Sequence, residues 1–214
     1  MSEAALAPAA LTVLSLVALL ASEARGLRAG VWIAKPLAST GFLGFALVLG
    51  ALGTGYGQMV LVALVLCWLG DVLLIPRGAR GTFLAGLVSF LLGHLAFAAA
   101  FLQRGAASAW VAGAGLACAG IAVLALRWLW PHVGGSMRGP VVAYVAVISA
   151  MVVCAAGAVG AGATALILAG AVAFFVSDLA VARERFVARS FGNKLWGLPL
   201  YYGATLLLAA SVAG

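Results

Sequence analysis

The chain has 214 residues, of which 66% are hydrophobic and 8% charged. A soluble domain carries roughly 25% charged residues, so the composition excludes one and describes an integral membrane protein. The net charge of +7 would suit a nucleic-acid binder, but the positions of the basic residues give a different reason for it, and no nucleic-acid partner is expected.

A membrane-crossing helix needs about 20 predominantly apolar residues, and cutting the chain on that criterion predicts eight such helices. In chain order the predicted spans are residues 4–21, 31–52, 58–75, 82–102, 108–129, 140–157, 161–181 and 196–212. The predicted fold is all-α, an eight-transmembrane-helix bundle that forms a single integral membrane domain over residues 1–214. The first span reads as a retained helix rather than a cleaved leader, because Met1, Ser2 and Glu3 bring no positive charge and the apolar run is long. Pro36 opens the second span and Pro140 the sixth, while Asp71 lies near the end of the third and Asp178 near the end of the seventh. These matched offsets suggest a parallel 4+4 repeat about an axis along the membrane normal. The stretches Gly86–Gly93 and Gly113–Gly120 present small faces on which helices can pack closely. Cys67, Cys118 and Cys154 all fall inside spans, without metal-binding spacing, and read as small apolar residues.

The connections hold most of the charge. Arg25 and Arg28 lie in the first, with Lys35 just inside the next span. Arg77 and Arg80 lie in the third, Arg127 and Arg138 flank the fifth, and Arg183, Arg185, Arg189 and Lys194 occupy the seventh. The second and sixth connections have no basic residue, and the fourth has only Arg104. By the positive-inside rule the odd connections are cytoplasmic and both termini are outside.

The chain has only five acidic residues. Glu3, Glu23 and Glu184 sit at segment ends or outside segments, but Asp71 and Asp178 lie within apolar runs. A carboxylate there is costly and marks a functional site that faces a cavity or a partner. At a rise of 1.5 Å per residue, Asp71 is roughly 6 Å from the cytoplasmic end of its span, and Asp178 takes the matching place. Lys35, Tyr144, Tyr201 and Tyr202 enter the same half of the membrane from three other spans, and His94 sits deeper in the fourth. Each has a plainer reading. Lys35 could snorkel to headgroups or pair with one aspartate, and the tyrosines could be interfacial belt residues. His94 shares a helix face with Gly86, Phe90, Phe97 and Phe101, a stripe that could be packing alone. Together, a lysine, two aspartates and a histidine at one end of the bundle make a candidate site in the cytoplasmic half.

Several chemistries lack their residues. A single histidine within a span, with no Glu-x-x-His or clustered ligands, makes a zinc site weak. His132 falls in a loop, no serine sits in a Gly-x-Ser-x-Gly elbow, and no glycine-rich phosphate loop opens a helix.

In order along the chain stand Lys35–Pro36–Leu37, Leu69–Gly70–Asp71, the Gly86, Phe90 and His94 stripe, Tyr144, Ser177–Asp178–Leu179 followed by Arg185–Phe186, and Tyr201–Tyr202. On eight predicted helices this order resembles the YhhN/TMEM86 family, the lysoplasmalogenases of bacteria and animals, over almost the whole chain after the first span. The family often has an Ala-Gln pair after the last tyrosine, where this chain has Ala204–Thr205, so headgroup preference is open to change here. The resemblance implies a hydrolase of the bacterial plasma (inner) membrane, with a lysophospholipid substrate and membrane lipid around it. It would cleave the vinyl ether of a lysoplasmalogen to a fatty aldehyde and a glycerophospho-headgroup.

A vinyl ether hydrolyses when an acid protonates its β-carbon and water attacks the resulting oxocarbenium ion. That needs one carboxyl as acid and one carboxylate as base and cation stabiliser, a division that two carboxyls in different surroundings can make. Asp71 and Asp178 are the candidates for the catalytic pair, in either assignment. Lys35 would meet the substrate phosphate or hold one aspartate ionised. His94, Tyr144, Tyr201 and Tyr202 would orient water or substrate. No metal or organic cofactor is required. Intramembrane carboxylates also suit a proton-coupled transporter of a small molecule or lipid, the main alternative. An intramembrane aspartyl protease fits poorly, since Ser177–Asp178 and Trp68–Leu69–Gly70–Asp71 depart from its motifs. A lipid-binding protein without turnover is the remaining class.

Overall fold

The computed structural model describes residues 3–76 and 80–214. Met1 and Ser2 of the N-terminal segment and Arg77 of the third connection lie outside the described residues. Among those described the chain is helical, without strands, and eight helices are long and apolar enough to cross a membrane. They are α1 (Glu3–Ala24), α2 (Arg28–Val48), α3 (Gly55–Leu73), α4 (Arg80–Leu102), α5 (Ser108–Leu129), α6 (Gly135–Gly160), α7 (Leu166–Ala182) and α8 (Phe191–Ala210). The apolar runs set these helices because a backbone in lipid must satisfy its own hydrogen bonds.

Local chemistry sets the ends. Thr54 caps α3, its Oγ1 accepting the Gly57 amide at 3.0 Å, and Ser190 caps α8 by accepting from Gly192 at 3.1 Å. Gly50, at φ +87°, ends α2 in a left-handed conformation that a side chain would strain. The prolines depart from the sequence reading. Neither Pro36 nor Pro140 opens its helix, and both lie inside longer ones. In α6 the polar segment Gly135–Gly139 continues the helix ahead of Pro140, so apolar content alone truncated it. α8 likewise starts earlier than predicted, at Phe191, which puts Tyr201 and Tyr202 about three turns into it rather than one or two.

Six helices close a ring in the order α2, α3, α4, α6, α7, α8, with α8 also touching α3. α1 packs outside the ring against α2 and α8, and α5 packs outside it, chiefly against α6. The glycines divide accordingly. Gly86 and Gly93 bring α4 close to α3, where a Cβ would meet Leu74 at 2.8 Å and the Ala63 carbonyl at 3.3 Å. Gly113, Gly115 and Gly120 of α5 have open space beside them, so the small face predicted there packs against nothing within the described residues. The α1–α2 seam depends on Gly41. A Cβ there would lie 2.7 Å from the Thr12 amide nitrogen and 2.8 Å from the Pro8 carbonyl, and backbone atoms cannot move aside as a side chain can. Gly41→Ala is therefore expected to destabilise the protein by about 1–3 kcal/mol, read as a lower melting temperature in detergent.

Candidate functional site

A cavity of about 600 Å³ opens at the end of the bundle that carries the odd connections. Lys35, Asp71, Tyr144, Asp178 and Tyr201 all line it. Residues from five helices that the sequence placed at one depth thus face one space. His94 and Tyr202 do not line the cavity but lie behind the residues that do, both almost wholly buried.

Asp71 is two residues from the end of α3, and its side chain is 3% exposed. Lys35 Nζ lies 3.2 Å from its Oδ1 and donates to its backbone carbonyl at 3.0 Å. Lys35 therefore does not snorkel, but closes the exposed end of α3 and neutralises its carboxylate. Oδ2 accepts two short hydrogen bonds, from Ser39 Oγ and from the Tyr201 hydroxyl, each 2.6 Å. The Tyr202 hydroxyl stands 3.3 Å from both Ser39 Oγ and the Lys35 carbonyl. Asp71 is thus held by a cation and two hydroxyls, the pairing that a charge out of water requires. Ser39 was not among the predicted residues. It sits four residues after Lys35 on the same helix face, and that spacing was the available signal.

Asp178 has different surroundings. Its Oδ2 accepts the Tyr144 hydroxyl at 2.8 Å, and its side chain is 16% exposed. The His94 Nε2 is 3.8 Å from the same oxygen, beyond hydrogen-bond length. Neither ring nitrogen of His94 has a hydrogen-bond partner among the described residues. The imidazole is instead held edge-on between Phe174 and Tyr144, with ring centroids at 4.7 and 5.4 Å. The predicted stripe of Gly86, Phe90, His94, Phe97 and Phe101 is the buried face of α4. Phe174 also meets Tyr201, at 5.2 Å, so ring contacts link the tyrosine on Asp71 to the histidine beside Asp178. Deeper in the bundle, fully buried Phe97, Phe101, Met151 and Leu208 fill the other half.

The cavity mouth is shaped by the turn between α7 and α8. α7 widens into a π-helical turn, Arg183–Val187, and the chain returns through Ser190. Asn193, the only asparagine in the chain, is 1% exposed and ties this turn together. Its Nδ2 donates to Glu184 Oε2 and to the Ala188 carbonyl, each at 2.8 Å, and its Oδ1 accepts from Arg183. Sequence reasoning missed it, since an isolated Asn in a charged connection carries no pattern. Asn193→Ala leaves these buried partners unpaired and is expected to cost about 1–3 kcal/mol, measurable by thermal unfolding. Beside it Lys194 pairs with Glu23 of α1 at 2.6 Å. Among the described residues no group of three or more His, Cys, Asp or Glu side chains could hold a metal ion. The three cysteines are free, and His132 is exposed in the short helix Trp130–His132.

Comparison with known proteins gives relatives along most of the chain. Lysoplasmalogenases of Mycobacterium bovis and Mycobacterium tuberculosis are each 35% identical over 160 residues, 69% of this chain. The bovine lysoplasmalogenase TMEM86A is 30% identical over 158 residues, 71% of this chain. The matched part spans 58% of the length of the mycobacterial relatives and 64% of the bovine one. No solved structure matches the chain. A family model described as the YhhN family covers residues 30–212, which include the carboxyl-bearing helices α3 and α7: the chain belongs to the YhhN family.

Proposed function

We propose that the protein is a membrane hydrolase that cleaves the vinyl ether of a lysoplasmalogen, releasing a fatty aldehyde and a glycerophospho-headgroup. The relatives' names support the substrate class. The observation that carries the reading is the unequal pairing of two carboxyls on one cavity: Asp71 has a cation partner and Asp178 has none. An enol ether needs these two kinds of group.

The charge balance favours one assignment. Asp71 can remain a carboxylate because Lys35 compensates it, whereas an ionised Asp178 would be a poorly compensated charge away from bulk water. Asp178 is therefore the proton donor. Its Oδ1 has no partner among the described residues and is free to hold the proton, while Tyr144 fixes Oδ2. Asp178 protonates the alkenyl carbon β to the ether oxygen, and the positive charge that forms on the oxocarbenium is stabilised by Asp71. Water attacks the cation and gives a proton to Asp71, forming a hemiacetal. The hemiacetal hydroxyl returns its proton to Asp178 as the C–O bond breaks, and Asp71 protonates the departing glycerol oxygen. One water is consumed and both aspartates regain their starting forms. The apolar walls, including Leu87, Phe90 and Ile148, suit the single hydrocarbon chain. The site would open toward the cytoplasmic leaflet by the charge rule.

The order of steps is testable in heavy water. Turnover of lysoplasmenylcholine in D₂O is expected to place one deuterium on the carbon next to the aldehyde carbonyl, seen as a one-dalton gain by mass spectrometry. Aldehyde released without that label would rule out carbon protonation.

A further inference from the structure

Lys35 is committed to Asp71, which leaves the substrate phosphate without the partner that the sequence suggested. We infer that Arg185, on the π-helical turn at the cavity mouth, and Arg189, in the segment that leads from it to α8, form the subsite that binds the phosphate of a single-chain lipid headgroup. This inference rests on the lysolipid reading above and extends it to a binding site. Four cationic side chains line the cavity, Lys35, Arg185, Arg189 and Lys194. Two of them are spent, Lys35 on Asp71 and Lys194 on Glu23. Arg185 and Arg189 have no carboxylate within ion-pair distance among the described residues. Arg185 lies over the Phe83 ring at 4.1 Å, a contact that positions the guanidinium without using its N–H donors, and Arg189 is exposed with no hydrogen bond to a described residue.

The nearby acids do not cancel them. Glu23 faces Lys194, and Glu184 is turned back into its own loop, where Oε2 accepts from the Ser190 amide at 2.9 Å and from Asn193 at 2.8 Å. The Asn193 tie fixes the backbone between the two arginines. Two planar guanidiniums with free donors at the polar rim of an otherwise apolar cavity, one of them positioned on Phe83, suit a phosphodiester oxygen pair. In such a lipid the ether lies a few bonds from the phosphate, so a phosphate at the rim would direct the ether into the cavity that Asp71 and Asp178 also line.

The test measures binding apart from turnover. Native mass spectrometry in detergent would compare a non-hydrolysable 1-O-alkyl-glycerophosphocholine with the 1-O-alkylglycerol that lacks the phosphate. Soluble glycerophosphocholine, with the same phosphate and no chain, serves as competitor. The wild-type protein is expected to prefer the phosphate-bearing lipid, and Arg185→Gln with Arg189→Gln to lose that preference by about tenfold or more. Lysine at both positions should restore part of it. Arg127→Gln, which removes a charge from the same end of the bundle outside the cavity, should leave it unchanged. Competition by glycerophosphocholine at concentrations comparable to the lipid would make free phosphodiester, rather than lipid, the ligand, and would overturn the lipid assignment. Retained preference in the double variant, or equal loss in Arg127→Gln, would overturn the subsite while hydrolysis could still stand. Preference lost as expected in a protein that releases no aldehyde would keep the subsite and reject the hydrolase.

Discussion

Asp178→Asn is expected to slow aldehyde release from lysoplasmenylcholine by about 100- to 10,000-fold, the range that a positioned general acid contributes. The change is nearly isosteric. The Tyr144 hydroxyl, which donates to Oδ2 at 2.8 Å, can donate equally well to an amide oxygen, so the helices need not shift. What is lost is the transferable proton, since an amide does not protonate carbon. The loss should therefore fall on kcat, with KM little changed, in a protein whose melting temperature stays near that of the wild type. Full turnover by the folded variant would remove Asp178 from the mechanism and leave the carboxyl pair without its acid.

The second large effect is expected at Lys35. Lys35→Met should destabilise the protein by about 3–5 kcal/mol, because it strands the Asp71 carboxylate away from water with no cation. The pair is well shielded, with side chains 13% and 3% exposed, so solvent offers little screening. Adding Asp71→Asn to Lys35→Met removes the stranded charge and should recover much of the stability. The asparagine can still accept from Ser39 and Tyr201, which hold Oδ2 at 2.6 Å in the wild type. Activity should not recover with it, because the double variant has no carboxylate to stabilise the cation or take the proton from water. Thermal unfolding and aldehyde release measured on the same three proteins separate the two roles. A double variant as unstable as Lys35→Met would mean that the ammonium acts through its bond to the Asp71 carbonyl and not through the carboxylate.

These two outcomes bear on the transporter reading as well. A carrier exposes its site to each face in turn, and in this structure the half of the bundle beyond His94 is filled by buried side chains. Arg104 there donates to the Gly214 carbonyl at 2.8 Å and stacks on Tyr56, which ties the turn after α4 to Gly214 and to α3. A hydrolase keeps that end closed and a carrier must open it, so proton-dependent uptake in liposomes, measured beside aldehyde release, separates the two.

The sequence alone determined the number of helices, the end of the bundle where charge gathers, and the placing of Asp71 and Asp178 toward that end of their helices. Those follow from the length of apolar runs and from a fixed rise per residue, both readable without knowing any neighbour. Helix ends were less legible where polar residues continue a helix, as at Gly135–Gly139 and Phe191–Leu195. Only the tertiary structure decided that Lys35 takes Asp71 rather than a headgroup, that Tyr144 and His94 flank Asp178, and that Asn193 locks the rim. Partner choice depends on how helices are ordered and turned around the ring. In a membrane protein that information is nearly absent from the pattern, because lipid is as apolar as the core and a helix can be hydrophobic on every face.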